Sequence, residues 1–207
     1  MSDLTRDTSH ERAAATGAGR SNDRRPDPSV LAFYPDLQRT DAKLWQRVNI
    51  ATFLPGADPV QVWSGVTRLD GINAELAPVM KMTAPKTMRG SAPSLADVPL
   101  GEPLGRSWIL LGRLLPYDYD DVIIAEREDG RRFLEVSRMS SAHAWIHERT
   151  VDEKDGGTVL TDRLTFLLKP HLRPLTPVYR RTVGQLFAHR HRRVARRFAR
   201  LAPRPAD

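Results

Sequence analysis

The sequence predicts an α+β fold in which one curved antiparallel sheet of six or seven strands wraps around a long C-terminal helix. Three observations carry this prediction: an isolated strand followed by two short helices, a series of at least five extended segments joined by short turns, and one long final helix. The chain has 207 residues, 40% of them hydrophobic, which suffices for one domain with a real core. It has no cysteine, which excludes disulfides, thiolate metal sites and cysteine nucleophiles.

The N-terminal segment, residues 1–40, is rich in Ser, Thr, Asp, Arg, Gly and Ala and has no sustained hydrophobic periodicity. This composition predicts a disordered extension, followed by a folded domain over 41–202 and a short tail over 203–207. No run approaches the roughly 18 apolar residues that cross a membrane, and the N-terminus has no apolar core of a signal peptide. We therefore expect a cytoplasmic protein.

Alternating apolar residues predict a first strand over 44–54. A short helix is expected over 58–66, because Asp58 is a good N-cap and Pro59 suits the first helical position. Asp70 is expected to cap a second short helix, which ends before Pro85. The side chains expected to face inward from this region include Trp63, Ile72, Leu76 and Met80.

The segment 82–106 is rich in Pro, Gly and Ser and predicts a loop long enough to carry function, with a seventh strand hidden within 91–106. After it, the extended segments are 108–115, 121–128, 132–138, 144–152 and 158–168, with turn signals at 116–119, 128–130 and 154–157. Serial strands with short turns indicate an antiparallel meander. The final helix is expected over 177–201, before Pro203.

The positive charge of the chain is concentrated at its C-terminal end. The formal net charge is +7, and residues 180–207 contain nine arginines and one acidic residue. Clustered arginines can attract nucleic acid or anionic lipid through their long-range field. The favoured interpretation is the simpler one, a solvated helix face.

Four local strings accompany this order of elements: LGRLLP at 111–116, WIHER at 145–149, GTVLTDR at 157–163 and FAHRHRR at 187–193. With them, the chain resembles the SRPBCC superfamily of START-like, helix-grip proteins over residues 44–201. The resemblance implies a cavity under the last helix that holds a hydrophobic or amphipathic small molecule, such as a lipid, an isoprenoid or a polyketide-like compound. Only some members of the superfamily are enzymes, so holding and converting a ligand both remain open.

The last hairpin predicts a histidine–carboxylate pair inside this cavity. Its final arm alternates, and the more apolar face carries Leu160, Asp162, Leu164 and Phe166. If residue 151 lies opposite residue 158 across the turn, His147 faces Asp162. A register slip of one residue would reverse the facing, so this pairing is a hypothesis.

The final helix is expected to direct two basic side chains toward the same cavity. Phe187 lies on its apolar stripe, and Arg190 and His191 lie within about 60° of the centre of that stripe. A buried arginine needs an anion, which Asp162, Glu135 or a ligand carboxylate or phosphate can supply.

These residues support two interpretations. A purely structural network of His147, Asp162 and Arg190 is favoured, and a network that also touches the ligand is the alternative. If the cluster is catalytic, His147 is the acid and base and Asp162 orients it, as in an aromatase/cyclase-type enzyme. The predicted ligand-contacting residues are Trp63, Ile72, Leu76, Met80, Trp108, Leu110, Phe133, Trp145, His147, Leu160, Asp162, Leu164, Phe166, Phe187, Arg190 and His191.

Two further groups are weaker candidates. Methionines 80, 82 and 88 suit an adaptable apolar entrance, although methionine is more often core filler. The acidic stretch 117–121 is interpreted as a solvated turn rather than a weak cation site, since it lacks the glycine and terminal glutamate of a calcium loop. No metal or cofactor is predicted. Binding to nucleic acid or to an anionic membrane through the arginine-rich helix ranks last, and the oligomeric state stays open.

Overall fold

The structure, a computed structural model, describes residues 24–88 and 94–200. The strands are β1 (Gln46–Pro55), β2 (Met80–Met82), β3 (Pro103–Leu111), β4 (Leu115–Glu128), β5 (Arg132–Met139), β6 (Ala142–Lys154) and β7 (Gly157–Leu168). The α-helices are α1 (Pro28–Leu31), α2 (Pro59–Thr67), α3 (Leu69–Leu76) and α4 (Thr176–Ala199). Short 3-10 turns occur at Pro35–Leu37, Ala42–Leu44, Lys86–Met88 and Pro170–Leu175.

The described strands form one antiparallel sheet in the order β1-β7-β6-β5-β4-β3-β2. Helix α4 crosses its concave face and packs against β1 and α3. Its buried side chains recur at helical spacing, and they are Val183, Phe187, Arg190, His191, Val194 and Phe198. The predicted helix-grip architecture, with two short helices after the first strand and a long C-terminal helix, is therefore confirmed.

Local sequence signals place the two short helices. Helix α2 begins after Asp58, whose side chain accepts a hydrogen bond from the Val60 N–H at 2.7 Å, as predicted. The predicted cap of α3 was wrong by two residues. Arg68 occupies the N-cap position without a side-chain bond, and Asp70 lies in the first turn.

Residues 28–44 are part of the fold, and the prediction of disorder up to residue 40 was wrong for this segment. Val30, Leu31, Tyr34 and Leu37 are buried against the convex face of the sheet. The Tyr34 hydroxyl accepts a hydrogen bond from the Ser137 N–H at 2.8 Å. The reason is tertiary: strands β5 to β7 also carry apolar residues on their convex face, which this segment covers. Residues 1–23 and 201–207, including the predicted tail, lie outside the described residues.

Two predictions in the middle of the chain were also wrong. The seventh strand is β2, which precedes the long loop and pairs with β3, rather than a strand hidden in 91–106. The turn between β3 and β4 falls at Gly112 and Arg113, with φ values of 57° and 71°, rather than at 116–119. Strand β4 therefore begins at Leu115, and a register shift at Ile109/Leu110 accommodates Pro116 within the ladder.

Candidate functional site

A cavity of about 300 Å³ lies between the concave face of the sheet and α4. Its lining is mostly apolar and includes four methionines, Met80, Met82, Met88 and Met139. Tyr117, Leu175 and Val178 line it and are more than half exposed, so the cavity opens between the start of β4 and the start of α4.

Half of the predicted ligand-contacting residues line this cavity: Ile72, Leu76, Met80, Phe133, Trp145, His147, Phe187 and Arg190. A second set is buried without being part of the lining, and it consists of Trp63, Leu160, Asp162, Leu164, Phe166 and His191. Eight of the sixteen predicted residues therefore line the cavity, and six of the others are buried outside its lining.

The prediction for Trp108 and Leu110 was wrong. Both lie on the other face of β3, where Trp108 is 43% exposed and contacts the Tyr119 ring edge-on at 5.9 Å. Ser107 and Ile109 line the cavity instead. Every residue from Trp108 to Leu111 is apolar, so hydrophobicity alone did not select a face of this strand.

The structure brings His147 and Asp162 together, but in a different register. Trp145 pairs with Phe166, His147 with Leu164, and Arg149 with Asp162, two residues away from the predicted pairing. A register shift of two residues leaves every side chain on the same face of the sheet. His147 Nε2 therefore still lies 2.8 Å from Asp162 Oδ1. The shift adds Arg149, which sequence reasoning did not count as a site residue.

Asp162 is completely buried and surrounded by donors. Its Oδ1 accepts from Arg149 Nε at 2.7 Å, and its Oδ2 accepts from Arg149 Nη2 at 2.7 Å and lies 3.0 Å from His191 Nε2. Burial alone would raise the pKa of Asp162, but the charges and hydrogen bonds of Arg149 and His147 outweigh it and hold the pKa well below its usual range. Asp162 is therefore an ionised anchor beneath the cavity floor.

Glu75 on α3 completes this buried network. Its carboxylate accepts from Arg149 Nη1 and Nη2 at 3.0 and 3.1 Å, and from Arg190 Nε at 3.0 Å. Arg190 therefore pairs with Glu75 rather than with the predicted Asp162 or Glu135, and its guanidinium lies 4.5 Å from the centre of the Phe187 ring. The sequence did contain a signal, because Glu75 follows Ile72 by three residues on the buried side of its helix.

His147 lies at the junction of this network and the cavity. Its Nδ1 is 3.6 Å from Glu135 Oε2, opposite the bond to Asp162. Burial alone would lower the pKa of His147, but the charges and hydrogen bonds of Asp162 and Glu135 outweigh burial and raise it. The ring also meets the rings of Phe133 and Phe187 edge-on, at 5.4 and 5.3 Å. The ring is therefore held between two carboxyl groups that favour its protonated form.

The acidic stretch of β4 is not the solvated turn that the sequence suggested. Asp118 and Asp120 are each 3% exposed and line the cavity. Asp118 accepts hydrogen bonds from the Ser140 N–H at 2.9 Å and the Ser141 hydroxyl at 2.5 Å. Alternation along β4 explains the burial, since Asp118, Asp120 and Val122 share the inner face of the strand.

Within residues 24–88 and 94–200, the His, Asp and Glu side chains form no group of three that could hold a metal ion. The same described residues contain no helix long and apolar enough to cross a membrane.

A family model described as "Domain of unknown function (DUF8410)" matches residues 56–198. A search of curated proteins found no match. Protein CV1439 from Chromobacterium violaceum is similar in structure, with a TM-score of 0.55 and 14% identity over 76% of this chain and 99% of that one. A START superfamily protein from Mycobacterium smegmatis gives a TM-score of 0.52 and 11% identity, covering 75% and 98%. These likenesses confirm the expected helix-grip fold.

Proposed function

The chain belongs to the DUF8410 family, and from its cavity we propose that it binds a hydrophobic or amphipathic small molecule between the sheet and α4. The observation that carries this proposal is the cavity itself, about 300 Å³ in volume and lined mostly by apolar side chains. Ligand pockets in proteins start at about this size, and voids this large are rare in close-packed cores. A lipid, isoprenoid or polyketide-like compound of modest size suits such a space.

The composition of the wall supports an adaptable site. The four methionines come from β2, the turn before the long loop, and β5. Thioether side chains are flexible and polarisable, so they can repack around ligands of different shape. The exposed apolar residues at the opening, Tyr117, Leu175 and Val178, give such a molecule an apolar route inward.

The test is titration with N-phenyl-1-naphthylamine, a neutral probe that fluoresces in apolar surroundings. Wild-type protein is expected to bind it, and Leu186→Trp is expected to lose at least about tenfold in affinity, because Leu186 lines the cavity and the larger ring fills it. The matched control is Leu114→Trp, which introduces the same ring at an 83% exposed position. Equal affinity of the two variants, or no binding to wild type, would overturn the proposal.

An enzyme of the aromatase/cyclase type is the second candidate, and one observation favours it. His147 lines the cavity between two carboxyl groups that raise its pKa, as suits a general acid. Against it, Asp162 and Arg190 are bound within the network, which suits a structural role. Turnover of a polyketone that disappears in His147→Gln, with probe binding retained, would establish the enzyme. If the protein binds the probe but converts no polyketone, the proposed binding function stands without an enzymatic one.

A further inference from the structure

The cavity has a polar end whose chemistry points to a class of ligand. Asp118 and Asp120 reach it from β4 and Glu135 from β5, and all three line the cavity. The structure describes donors for Asp118, but Oδ1 of Asp120 is buried and has no hydrogen-bond partner among the described residues. A buried carboxylate oxygen without a donor is costly, which favours the protonated form of the group.

The surroundings decide which carboxyl group carries the proton. Burial, and then the negative charge of Glu135, raises the pKa of Asp120 well above its usual value. Burial would raise the pKa of Glu135 too, but its hydrogen bond to His147 and the charge of His147 outweigh burial and lower that pKa. Glu135 is therefore ionised beside the imidazolium, and Asp120 is the carboxylic acid of the pair.

The cations near the cavity are already engaged. Arg149 and Arg190 are the arginines among the described lining residues, and both are bound to Glu75, with Arg149 also bound to Asp162. Three carboxyl groups line the polar end, and His147 serves Glu135 and Asp162. An anionic head group that entered the polar end would lie beside carboxyl groups, and no unpaired cation among the described lining residues would balance its charge.

We propose that Asp120 is a ligand-recognition residue whose carboxylic acid donates a hydrogen bond to a neutral oxygen, a carbonyl or a hydroxyl, of the molecule in the cavity. This inference rests on the proposed binding function and sharpens it. The chain selects uncharged ligands with one polar oxygen at the end that reaches β4, and it discriminates against fatty-acid carboxylates and phosphates.

The experiment uses four ten-carbon probes that differ only at one end: 2-decanone, decane, decanoate and decylammonium. Each is measured by displacement of N-phenyl-1-naphthylamine from the wild-type protein and from two variants. In wild type, 2-decanone is expected to bind more tightly than both charged probes. Asp120→Leu removes the donor and is expected to weaken 2-decanone about threefold to tenfold while leaving decane unchanged. Asp120→Asn keeps a donor in its amide and is expected to retain ketone binding.

Each outcome separates the two proposals. This inference would be overturned if decanoate or decylammonium bound to wild type as tightly as 2-decanone. It would also be overturned if Asp120→Leu weakened the binding of 2-decanone and decane equally. Either result would leave the binding function intact. Failure of every probe, decane included, would overturn the binding function itself. If Asp120→Leu does not fold, infrared spectroscopy of the wild type still decides: a carboxylic acid band at neutral pH that Asp120→Asn removes is expected, and its absence would refute the protonated Asp120.

Discussion

Two aspartates on the concave face of this sheet are both buried, and their pKa values are shifted in opposite directions. Asp162 is 0% exposed and is bound by Arg149 and His147. Asp120 is 3% exposed, has one oxygen that finds no partner among the described residues, and interacts with the charge of Glu135. Burial penalises the charge of both, so the difference comes from the donors within reach. The comparison separates a structural floor of paired charges, formed by Glu75, Arg149 and Asp162, from a polar end of the cavity where burial beside Glu135 favours the neutral form of Asp120.

The largest effect is expected from breaking the floor. Asp162→Asn removes the carboxylate that binds both Arg149 and His147 and leaves Arg149 with Glu75 alone, and removing one partner of a buried ion pair costs about 3–5 kcal/mol of unfolding free energy. Denaturant unfolding at neutral pH measures this loss. The control is Asp121→Asn, which breaks the exposed pair with Arg106 and should barely move the unfolding midpoint. If Asp162→Asn and Asp121→Asn lowered the unfolding free energy by similarly small amounts, the buried network around Asp162 would have no structural role.

The contribution of Asp120 to the free energy of unfolding is expected to depend on pH. A carboxyl group whose pKa is raised in the folded state stabilises the fold below its unfolded pKa of about 4 and loses that contribution as pH rises. Asp120→Asn has no such group, so it should gain stability relative to wild type between pH 4 and pH 8. Unfolding curves at several pH values measure the difference. A stability difference that does not change with pH would show that Asp120 is not protonated in the folded protein.

His147 gives a second pH signature. Its raised pKa means that the protonated ring stabilises the fold below the unfolded pKa of about 6.5, and that this contribution is lost as pH rises through the folded pKa. The advantage of wild type over His147→Gln should therefore shrink as pH increases above 6.5. Histidine ring shifts followed by NMR give the titration directly. A ring that titrates below the ordinary value would mean that burial outweighs the two carboxyl groups.

The smallest effect is expected on the arginine-rich outer face of α4. Arg192 and Arg196 are exposed, and replacing both by Gln should change the unfolding free energy by no more than about 0.5 kcal/mol each. The same variant tests the third candidate function. This face has a partner if wild type binds anionic vesicles or nucleic acid, if that binding falls steeply with salt, and if the variant loses it. Equal behaviour of both proteins at low salt would leave it a solvated surface.

Local signals in the sequence predicted much of the fold. The apolar stripe of α4, the cap at Asp58 and the alternation of β7 each follow from residues within a few positions of one another. The register of the last hairpin was within reach as well. Lys154 pairs with Gly157 across a two-residue Asp155-Gly156 turn, and that common turn chemistry gives the observed pairing.

The missing parts of the site depend on contacts between distant residues. Arg149 and Arg190 share Glu75, which is more than 70 residues from either in the chain, and no local pattern links them. Asp118 and Asp120 were assigned to a turn because Pro and Asp are rare in strands, but pairing with β3 and β5 overrides that preference. The segment at 28–44 gains its order from the convex face of the sheet that it covers.

Native mass spectrometry of the purified protein tests the binding function most directly. The protein is expected to carry a neutral apolar molecule with at least one oxygen, or to take up 2-decanone when mixed with it. Leu186→Trp, whose new ring occupies the cavity, is expected to carry and take up neither. The binding function would be contradicted if the wild-type protein were empty as purified and stayed empty with 2-decanone. It would also be contradicted if Leu186→Trp bound these molecules as wild type does.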